Sequence, residues 1–226
     1  AGTSYAKRNL QPPFKAIRNT DYAGNFDDFL DAVEKEAPFC FWLGTSEPHR
    51  AYEKGAGKRT GKDPAKVIVP SIFPDNAIVR SDILDYYVEV EHFDLMVERA
   101  IASLEKRGHL DNTIVVVTSD HGMPFPRAKA SLYDWGSRVP LAIRWPRGIR
   151  NPGRDVKDFV HLSDLAPTFI EAAGADVPSM MTASSLMKIF SGQKMNDRDA
   201  AYFAMERHDG CREGGKGYPC RAVRTQ

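Results

Sequence analysis

The sequence lacks several features that would assign it to a broad class at once. No apolar run reaches about 18 residues, the length that crosses a membrane. Basic and acidic residues are balanced, 31 against 30, so the net charge of +1 gives no general attraction for nucleic acid or an anionic membrane. There is no internal repeat and no low-complexity segment. These absences argue against a membrane-spanning protein, a strongly basic nucleic-acid-binding protein and a repeat protein.

Cysteine is also scarce. The three cysteines are an odd number, which excludes a framework in which every cysteine pairs within the chain. Cys211 and Cys220 lie in a Gly-rich segment and could form a disulfide or stay free. Cys40 lies in an apolar run and is expected to be a buried thiol. The first residues have neither an initiator Met nor the apolar core of a signal peptide, so the start is interpreted as a mature end or the edge of a fragment.

What remains is the composition of an ordinary globular protein. Hydrophobic residues make up 42% and charged residues 27% of the 226 positions, which suits one large or two small domains. Periodicity and capping residues predict helices at 25–37, 81–107 and 161–173, and strands at 39–43, 113–117, 140–145, 200–205 and 221–225. This order predicts an α/β protein with a mostly parallel central sheet flanked by helices, and a small antiparallel strand region near the C-terminus.

The most informative stretch is Thr-Ile-Val-Val-Val-Thr-Ser-Asp-His-Gly, from Thr113 to Gly122. Its β-branched first half is typical of a strand that is buried on both faces. Asp120 and His121 follow at the carboxyl end, where open α/β sheets place their sites, and Gly122 permits a sharp turn. A carboxylate beside an imidazole predicts a metal site, although a plain strand followed by a polar turn has the same pattern.

Two other predicted strands also end in polar clusters, at Ser46–Arg50 and at Glu206–Asp209. In a parallel sheet, the first of these clusters meets the residues after Val117 at one edge. That edge would collect His49, Arg50, Asp120, His121, Arg127 and Lys129. One carboxylate among cations and imidazoles suits an anionic substrate held together with a divalent cation, and His49 could donate a proton to a leaving group.

Simpler interpretations of the same residues stay open. His49 follows a proline and could fill a turn, and Lys129 taken alone is an ordinary surface lysine. Positions in or beside helices favour a structural or solvated role for three further histidines: His92, His109 and His161. The segment 55–66, rich in Gly, Lys and Arg, is interpreted as a flexible surface segment in preference to a loop that binds phosphate or sulfate.

A series of motifs, in order along the chain, resembles the sulfatase family. The motifs are Thr118-Ser119-Asp120-His121-Gly122, Lys129, Leu132-Tyr133, Gly136, Arg138-Val139-Pro140-Leu141, Trp145-Pro146 and Ser163-Asp164-Leu165-Ala166-Pro167-Thr168. Within the family, the branch of heparan N-sulfatases (sulfamidases) looks most similar, on Glu47-Pro48-His49-Arg50, Pro124-Phe125-Pro126 and Tyr218-Pro219 with Arg221 and Arg224. The resemblance covers nearly the whole chain and implies an α/β fold related to alkaline phosphatase.

The resemblance also implies roles for individual residues. A calcium ion would be held by two aspartates of the family's N-terminal region together with Asp120 and His121. Many members carry Asn at the second of these positions, and because His is a softer ligand than calcium prefers, Mg²⁺ and Zn²⁺ are alternatives. Lys129, where the sulfamidase branch has Arg, would hold the sulfate oxygens, and His49 would contact the sulfate or protonate the leaving group. Substrate recognition is implied for Arg50, Glu206, Arg207 and His208.

One requirement of the family is not met by any of the three cysteines. Sulfatases use a formylglycine nucleophile, made from Cys or Ser in a Cys/Ser-x-Pro/Ala-x-Arg segment near the N-terminus, and no cysteine here is followed by such a segment. The nucleophile is therefore expected in a missing N-terminal part. Residues 1–175 are predicted to be part of the catalytic α/β domain and residues 176–226 the start of a C-terminal subdomain, and this segment alone is expected to be inactive.

The leading hypothesis is a hydrolase of sulfate esters or sulfamates that acts on a sulfated, glycosaminoglycan-like sugar. A phosphodiesterase or phosphonate hydrolase of the same superfamily is one alternative, and a non-catalytic protein that binds sulfated glycans is another. The predicted partner is a sulfated carbohydrate, without nucleic acid and without a membrane span, and an oligomer is compatible with the sequence. The family implies an exported, periplasmic or lysosomal-type location.

Overall fold

The fold is described from a computed structural model for residues 4–195, 198–208 and 213–225. The chain divides into two compact units, Ala1–His109 and Leu110–Gln226. The predicted subdivision into residues 1–175 and 176–226 stays a prediction. Among the described residues, no helix combines the length and the apolarity that a membrane crossing requires.

The regular elements of the described residues are short apart from one helix. The first unit contains α1 (Tyr22–Ala32), α2 (Ala56–Arg59) and α3 (Ala77–Lys106). The second unit contains β1 (Val115–Thr118), α4 (Asp134–Ser137), β2 (Leu141–Arg144), α5 (Leu165–Ala172), α6 (Met187–Phe190), β3 (Ala200–Met205) and β4 (Cys220–Thr225). Single 3₁₀ turns occupy Pro64–Lys66, Leu110–Asn112, Leu162–Asp164 and Glu213–Gly215.

Helix α3 is the element on which the first unit is built. It begins earlier than predicted, because the Asn76 side chain accepts hydrogen bonds from the amides of Ile78 and Val79, both at 3.0 Å. It ends as predicted, with Gly108 at φ 73°, the left-handed conformation that glycine adopts without a steric penalty. Both α1 and α2 contact α3. The buried apolar residues of α3 are Ile83, Leu84, Val88, Met96 and Leu104.

The start of α1 differs from the sequence-based expectation. Asp21, not Asn25, is the capping residue, and its carboxylate accepts a hydrogen bond from the amide of Gly24 at 2.9 Å. Asn25 lies inside the helix and is 2% exposed. Its side chain accepts a bond from the amide of Arg8 at 2.8 Å and donates to the carbonyl of Arg8 at 3.2 Å, so it attaches the N-terminal segment to the helix.

The predicted strand at 39–43 is wrong, because the segment has no regular secondary structure. No backbone pairing with another strand is present for it in the described part of the chain. Phe41 packs against Phe26 and Phe29 of α1 at ring-centroid distances of 4.8 and 4.7 Å. The alternate residues face outward: Trp42 is 88% exposed, and Cys40 is exposed, not buried as expected. The segment has the alternation of a strand, but only one of its faces is covered.

The described strands pair antiparallel, so the expected parallel central sheet is not found among them. Strand β1 pairs with β2 from Val115 opposite Arg144 to Thr118 opposite Leu141. A parallel pair needs a crossover, usually a helix, whereas the connection between β1 and β2 contains only the four-residue α4. All residues of β1 are half-buried, so burial on both faces was also an overestimate. The predicted C-terminal hairpin is confirmed: β3 pairs antiparallel with β4.

A buried carboxylate connects three segments of the second unit. Asp164 is 0% exposed and forms an ion pair with Arg198. It also accepts hydrogen bonds from the backbone amides of His161 at 2.8 Å and Ser184 at 3.1 Å. One turn later, the hydroxyl of Thr168 accepts a bond from the amide of Leu186 at 2.8 Å. These contacts hold the region 184–186 against the start of α5, beside a buried cluster of Leu186, Ile189, Phe190 and Met195.

Candidate functional site

The loop that follows β1 is closed by two glycines. The amide of Gly122 donates to the carbonyl of Gly136 at 3.1 Å. A Cβ atom on Gly122 would lie 1.7 Å from the carbonyl oxygen of Trp135, and one on Gly136 would lie 2.2 Å from that of Ala128. Gly122 does not have a positive φ, so its requirement for glycine comes from this close backbone approach and not from a sharp turn. The loop is therefore a fixed support for the polar residues at its start.

Asp120 and His121 form a pair at the carboxyl end of β1. His121 Nε2 lies 3.6 Å from a carboxylate oxygen of Asp120. The other ring nitrogen, Nδ1, lies 2.8 Å from the carbonyl oxygen of Gly122, and because a carbonyl can only accept, Nδ1 carries the hydrogen. In the neutral ring this leaves the lone pair on Nε2, the atom nearest Asp120. The Asp120 side chain is 87% exposed, so its oxygens are open to a ligand.

This pair fits two ligands of a cation site. With bonds of about 2.4 Å, two adjacent ligand atoms of one calcium ion lie roughly 3 to 4 Å apart, and the observed separation falls in that range. Within residues 4–195, 198–208 and 213–225, no group of three or more His, Cys, Asp and Glu residues could hold a metal ion. The described residues thus supply Asp120 and His121 but no third ligand of these types.

His208 lies near this pair, and its implied role in substrate recognition stays a prediction. Its ring is 6.0 Å from that of His121, at an interplanar angle of 80°. Asp120, His121 and His208 all line a cavity of about 1860 Å³ in the second unit. The same cavity is lined by Arg144 and His161, neither of which the sequence indicated as part of a site. The local sequence does not identify them as site residues. Arg144 lines the cavity because of how β2 packs, and His161 because of how the segment before α5 packs.

The other predicted residues of the second unit lie outside this lining. The Lys129 amide donates to the carbonyl of Met123 at 3.1 Å, and the side chain is half-buried. Glu206 forms an ion pair with Arg221, one of the arginines in the resemblance, and is 65% exposed. Arg207 is exposed beside it. Asp209 and Cys211 lie outside the described residues, whereas Cys220 carries a free thiol that donates to the Tyr218 carbonyl at 3.4 Å.

His49 and Arg50 belong to the first unit, and both are exposed. His49 Nδ1 donates to the carbonyl of Arg50. Arg50 is held by a bidentate contact with Asp82 of α3, at 3.0 and 2.5 Å, and its guanidinium lies 4.8 Å from the centre of the Tyr52 ring. The hydrogen bond to Asp82 raises the pKa of Arg50 further above its usual value. The expectation that these residues share a sheet edge with Asp120 stays a prediction.

The Gly- and Lys-rich segment 55–66 is attached to α3 by a carboxylate. Asp85, 4% exposed, accepts hydrogen bonds from the amides of Gly55 and Gly57, both at 2.8 Å. Two neighbouring loop amides that point at one acceptor are what an anion-binding loop offers to phosphate or sulfate. Here an aspartate of the same chain takes that position. The preference against an anion-binding loop agrees with this contact, but the segment is anchored and not simply a surface loop.

The chain shares its fold with a solved protein bound to a sulfated sugar. That structure is of a protein in complex with its substrate D-glucosamine-2-N,6-O-disulfate. It aligns with a TM-score of 0.73 and 22% sequence identity, covering 90% of this chain and 58% of the other. The likeness supports the fold alone.

Sequence comparison identifies the family. The model of the sulfatase family matches residues 2–175. Human N-sulphoglucosamine sulphohydrolase is 26% identical over 221 residues, which cover 84% of this chain and 43% of that protein. An ulvan-active sulfatase of Formosa agariphila is 30% identical over 218 residues, covering 91% of this chain and 36% of that protein. The chain belongs to the sulfatase family, as its motifs predicted, and it spans less than half the length of these relatives.

Proposed function

We propose that the protein hydrolyses sulfate esters or sulfamates of a sulfated amino sugar, and that this chain supplies part of its site. The observation that carries the proposal is the Asp120–His121 pair, with the lone pair of His121 Nε2 turned toward Asp120 and His208 beside it. The relatives support the class: one is named an N-sulphoglucosamine sulphohydrolase, and a protein of the same fold was solved with a disulfated glucosamine.

In this proposal each residue has a limited task. Asp120 and His121 would hold the cation, which when bound would neutralise part of the charge of the sulfate group. The predicted preference for Ca²⁺ over Mg²⁺ or Zn²⁺ follows from the family and not from the pair itself. Lys129 would bind sulfate oxygens, and His49 would donate a proton to the leaving oxygen or nitrogen. Glu206, Arg207, His208 and Arg50 would contact the sugar.

The test is sulfate release by the protein expressed from its complete reading frame. Glucosamine derivatives with a single sulfate, on nitrogen or on O6, serve as substrates, and Asp120→Asn is compared with Asp176→Asn, an exposed carboxylate of the same unit. We expect Asp120→Asn to lower kcat/KM by about 10- to 100-fold, the loss that is typical when a metal site is impaired, and Asp176→Asn to have no effect. Equal activity of the two variants would refute the proposed site.

Two further measurements separate the alternatives. Sulfate should inhibit more strongly than vanadate, whereas the reverse order would indicate phosphoryl transfer. Retention of sulfated glycan without turnover by the complete protein would indicate a binding protein instead.

The 226-residue chain alone is expected to be inactive. Ser46-Glu47-Pro48-His49-Arg50 does have the Ser-x-Pro-x-Arg pattern, so the mass of this peptide must also be measured. We expect it to be unmodified, because Glu47 is buried and Arg50 is already bound by Asp82. A loss of two hydrogens at Ser46, together with turnover, would overturn the expectation that the nucleophile lies elsewhere.

A further inference from the structure

Three buried polar atoms of the first unit have no hydrogen-bond partner within the described residues. They are Glu47 Oε2, Glu89 Oε1 and His92 Nε2. Their residues are 4%, 3% and 6% exposed. A buried carboxylate oxygen without a partner is destabilising, and the charge of Glu47 also acts unfavourably on Glu89. This burial was not predictable from the sequence, since Glu89 and His92 look like ordinary polar positions of a long helix.

Glu47 fixes the position of the segment that contains His49. Its Oε1 accepts a hydrogen bond from the amide of Arg18 at 2.8 Å, and the hydroxyl of Thr45 donates to its carbonyl at 2.7 Å. The neighbouring amide of Ser46 donates to the Tyr22 hydroxyl at 3.0 Å. The segment Ser46–Arg50 is thus held by a side chain that points inward from the residue two positions before His49.

Among the residues that the structure describes, no cation acts on Glu89 to balance a second negative charge. Burial, followed by the charge of Glu47, raises the pKa of Glu89 to about 7. His92, one turn further along α3, is a poor counterion, because burial lowers its pKa and so disfavours the charged ring. The other groups whose charges act here are already engaged: Asp85 binds loop amides, Arg99 binds Asp21, Arg50 binds Asp82, and Tyr52 lies against Arg50.

We propose that protonated Glu89 stabilises the packed position of the segment Ser46–Arg50. When Glu89 loses this proton, the segment becomes more mobile. With one proton on Glu89, the inward-pointing carboxylate of Glu47 remains the single charge of the pair. Without it, two carboxylates are buried together, and Glu47 is the one on a loop that can move. The consequence for catalysis rests on the role proposed for His49, whereas the stabilisation of the segment does not.

The direction of the pH effect follows from where the proton is bound. In the unfolded chain Glu89 loses its proton near its ordinary pKa of 4.5, whereas in the folded chain it keeps the proton to about pH 7. Unfolding therefore releases a proton between these values, and stability falls as pH rises through this window. Above the folded pKa the loss is complete. The first unit should therefore be most stable in mildly acidic solution.

The experiment uses the full 226-residue chain and three readouts between pH 5.5 and 8.0. Carboxyl ¹³C NMR reports the titration of Glu89 itself, thermal unfolding reports stability, and hydrogen exchange corrected for the intrinsic rate reports the opening of residues 46–50. We expect Glu89 to titrate well above an ordinary glutamate. The wild-type midpoint should fall by about 4 °C or more across this range, with faster exchange in residues 46–50 at pH 8.0. Glu89→Gln should lose most of both pH effects.

Glu98→Gln is the matched control, because Glu98 lies on the exposed side of the same helix. It should keep the wild-type pH dependence of both stability and exchange. Three results would each overturn the proposal: titration of Glu89 at its ordinary pKa, an unchanged pH dependence in Glu89→Gln, or a stability change without altered exchange at residues 46–50. The NMR titration needs only the wild-type chain, so the test stands even if Glu89→Gln folds poorly. No readout involves turnover, so failure of the proposed hydrolase activity would be a separate result.

Discussion

Replacing Asp164 by Asn should show how strongly the second unit depends on its buried ion pair. The carboxylate receives two hydrogen bonds from the Arg198 guanidinium and one each from the amides of His161 and Ser184. Asn keeps one oxygen acceptor but presents an NH₂ group to the other donors. It also removes the negative charge that pairs with Arg198, whose side chain is 17% exposed. The substitution therefore removes acceptors and charge together.

Two independent estimates of the loss in free energy of unfolding agree. Breaking a buried ion pair by removing one partner costs about 3–5 kcal/mol. Counted by hydrogen bonds, about half of the four donors lose their acceptor, and each buried unsatisfied donor costs about 1–3 kcal/mol. Asp164→Asn should therefore lower the free energy of unfolding by about 3–5 kcal/mol, a large share of the 5–15 kcal/mol that is typical of a domain.

Urea unfolding followed by tryptophan fluorescence measures this loss. Two of the three tryptophans, Trp135 and Trp145, lie in the second unit, so a Trp42→Phe background confines the signal to it. The matched control is Asp134→Asn, which breaks an exposed pair with Arg224 and should cost less than about 1 kcal/mol.

A double-mutant cycle with Arg198→Met completes the test. Because both substitutions break the same ion pair, the double variant should be more stable than the sum of the single losses predicts. The wild type should also lose stability in acid. Burial alone would raise the pKa of Asp164, but bonds from Arg198, His161 and Ser184 lower it, so its contribution disappears as pH falls through that lowered pKa. If Asp164→Asn costs no more than Asp134→Asn, the carboxylate does not hold these segments together.

Two further substitutions test the loops that support the candidate sites. Gly122→Ala places a Cβ 1.7 Å from the Trp135 carbonyl oxygen, so the backbone must move. We expect the free energy of unfolding in urea to fall by about 3 kcal/mol. The rings of His121 and His208 should also move apart, which is measured as the loss of any NMR cross-peak between them. Asp85→Asn weakens two bonds to loop amides, and we expect a loss of about 2 kcal/mol and faster proteolysis within 55–66, effects that the exposed Asp94→Asn on the same helix should not produce.

The parts of the fold that could be predicted are those fixed by local sequence. Helix α3 has a continuous apolar face and a glycine at φ 73° after its end, and the hairpin of β3 and β4 has two β-rich runs close in the chain. The Asp120–His121 pair was predictable for the same reason, because both residues directly follow a strand. The reason for glycine at position 122 could not be predicted, because Trp135, whose carbonyl it approaches, lies 13 residues away in the sequence.

The errors arose where a segment's environment depends on distant residues. Phe39 to Leu43 has the composition of a strand covered on both sides, but only α1 covers it here, through Phe26 and Phe29. Composition reports how apolar a segment is, and not how many of its faces are covered or whether its backbone pairs. The same limit explains why Cys40 was expected to be buried and is exposed.

The segment 55–66 shows why a functional prediction cannot rest on composition alone. Gly, Lys and Arg together suit an anion-binding loop as well as a surface loop, and the residue that decides between them, Asp85, is 30 positions away from Gly55. Because its carboxylate already accepts from both loop amides, an incoming sulfate would have to displace a buried, charged acceptor that is covalently part of the chain and so present at high effective concentration. The exposed Lys58 and Lys66 therefore remain available for surface contacts, whereas Lys62 pairs with Glu91 and the amides of Gly55 and Gly57 are bound by Asp85. By the same reasoning, anion binding is better sought at the Asp120–His121 pair, where the polar atoms face a cavity and where the proposed cation, which would attract a sulfate, would find two ligands.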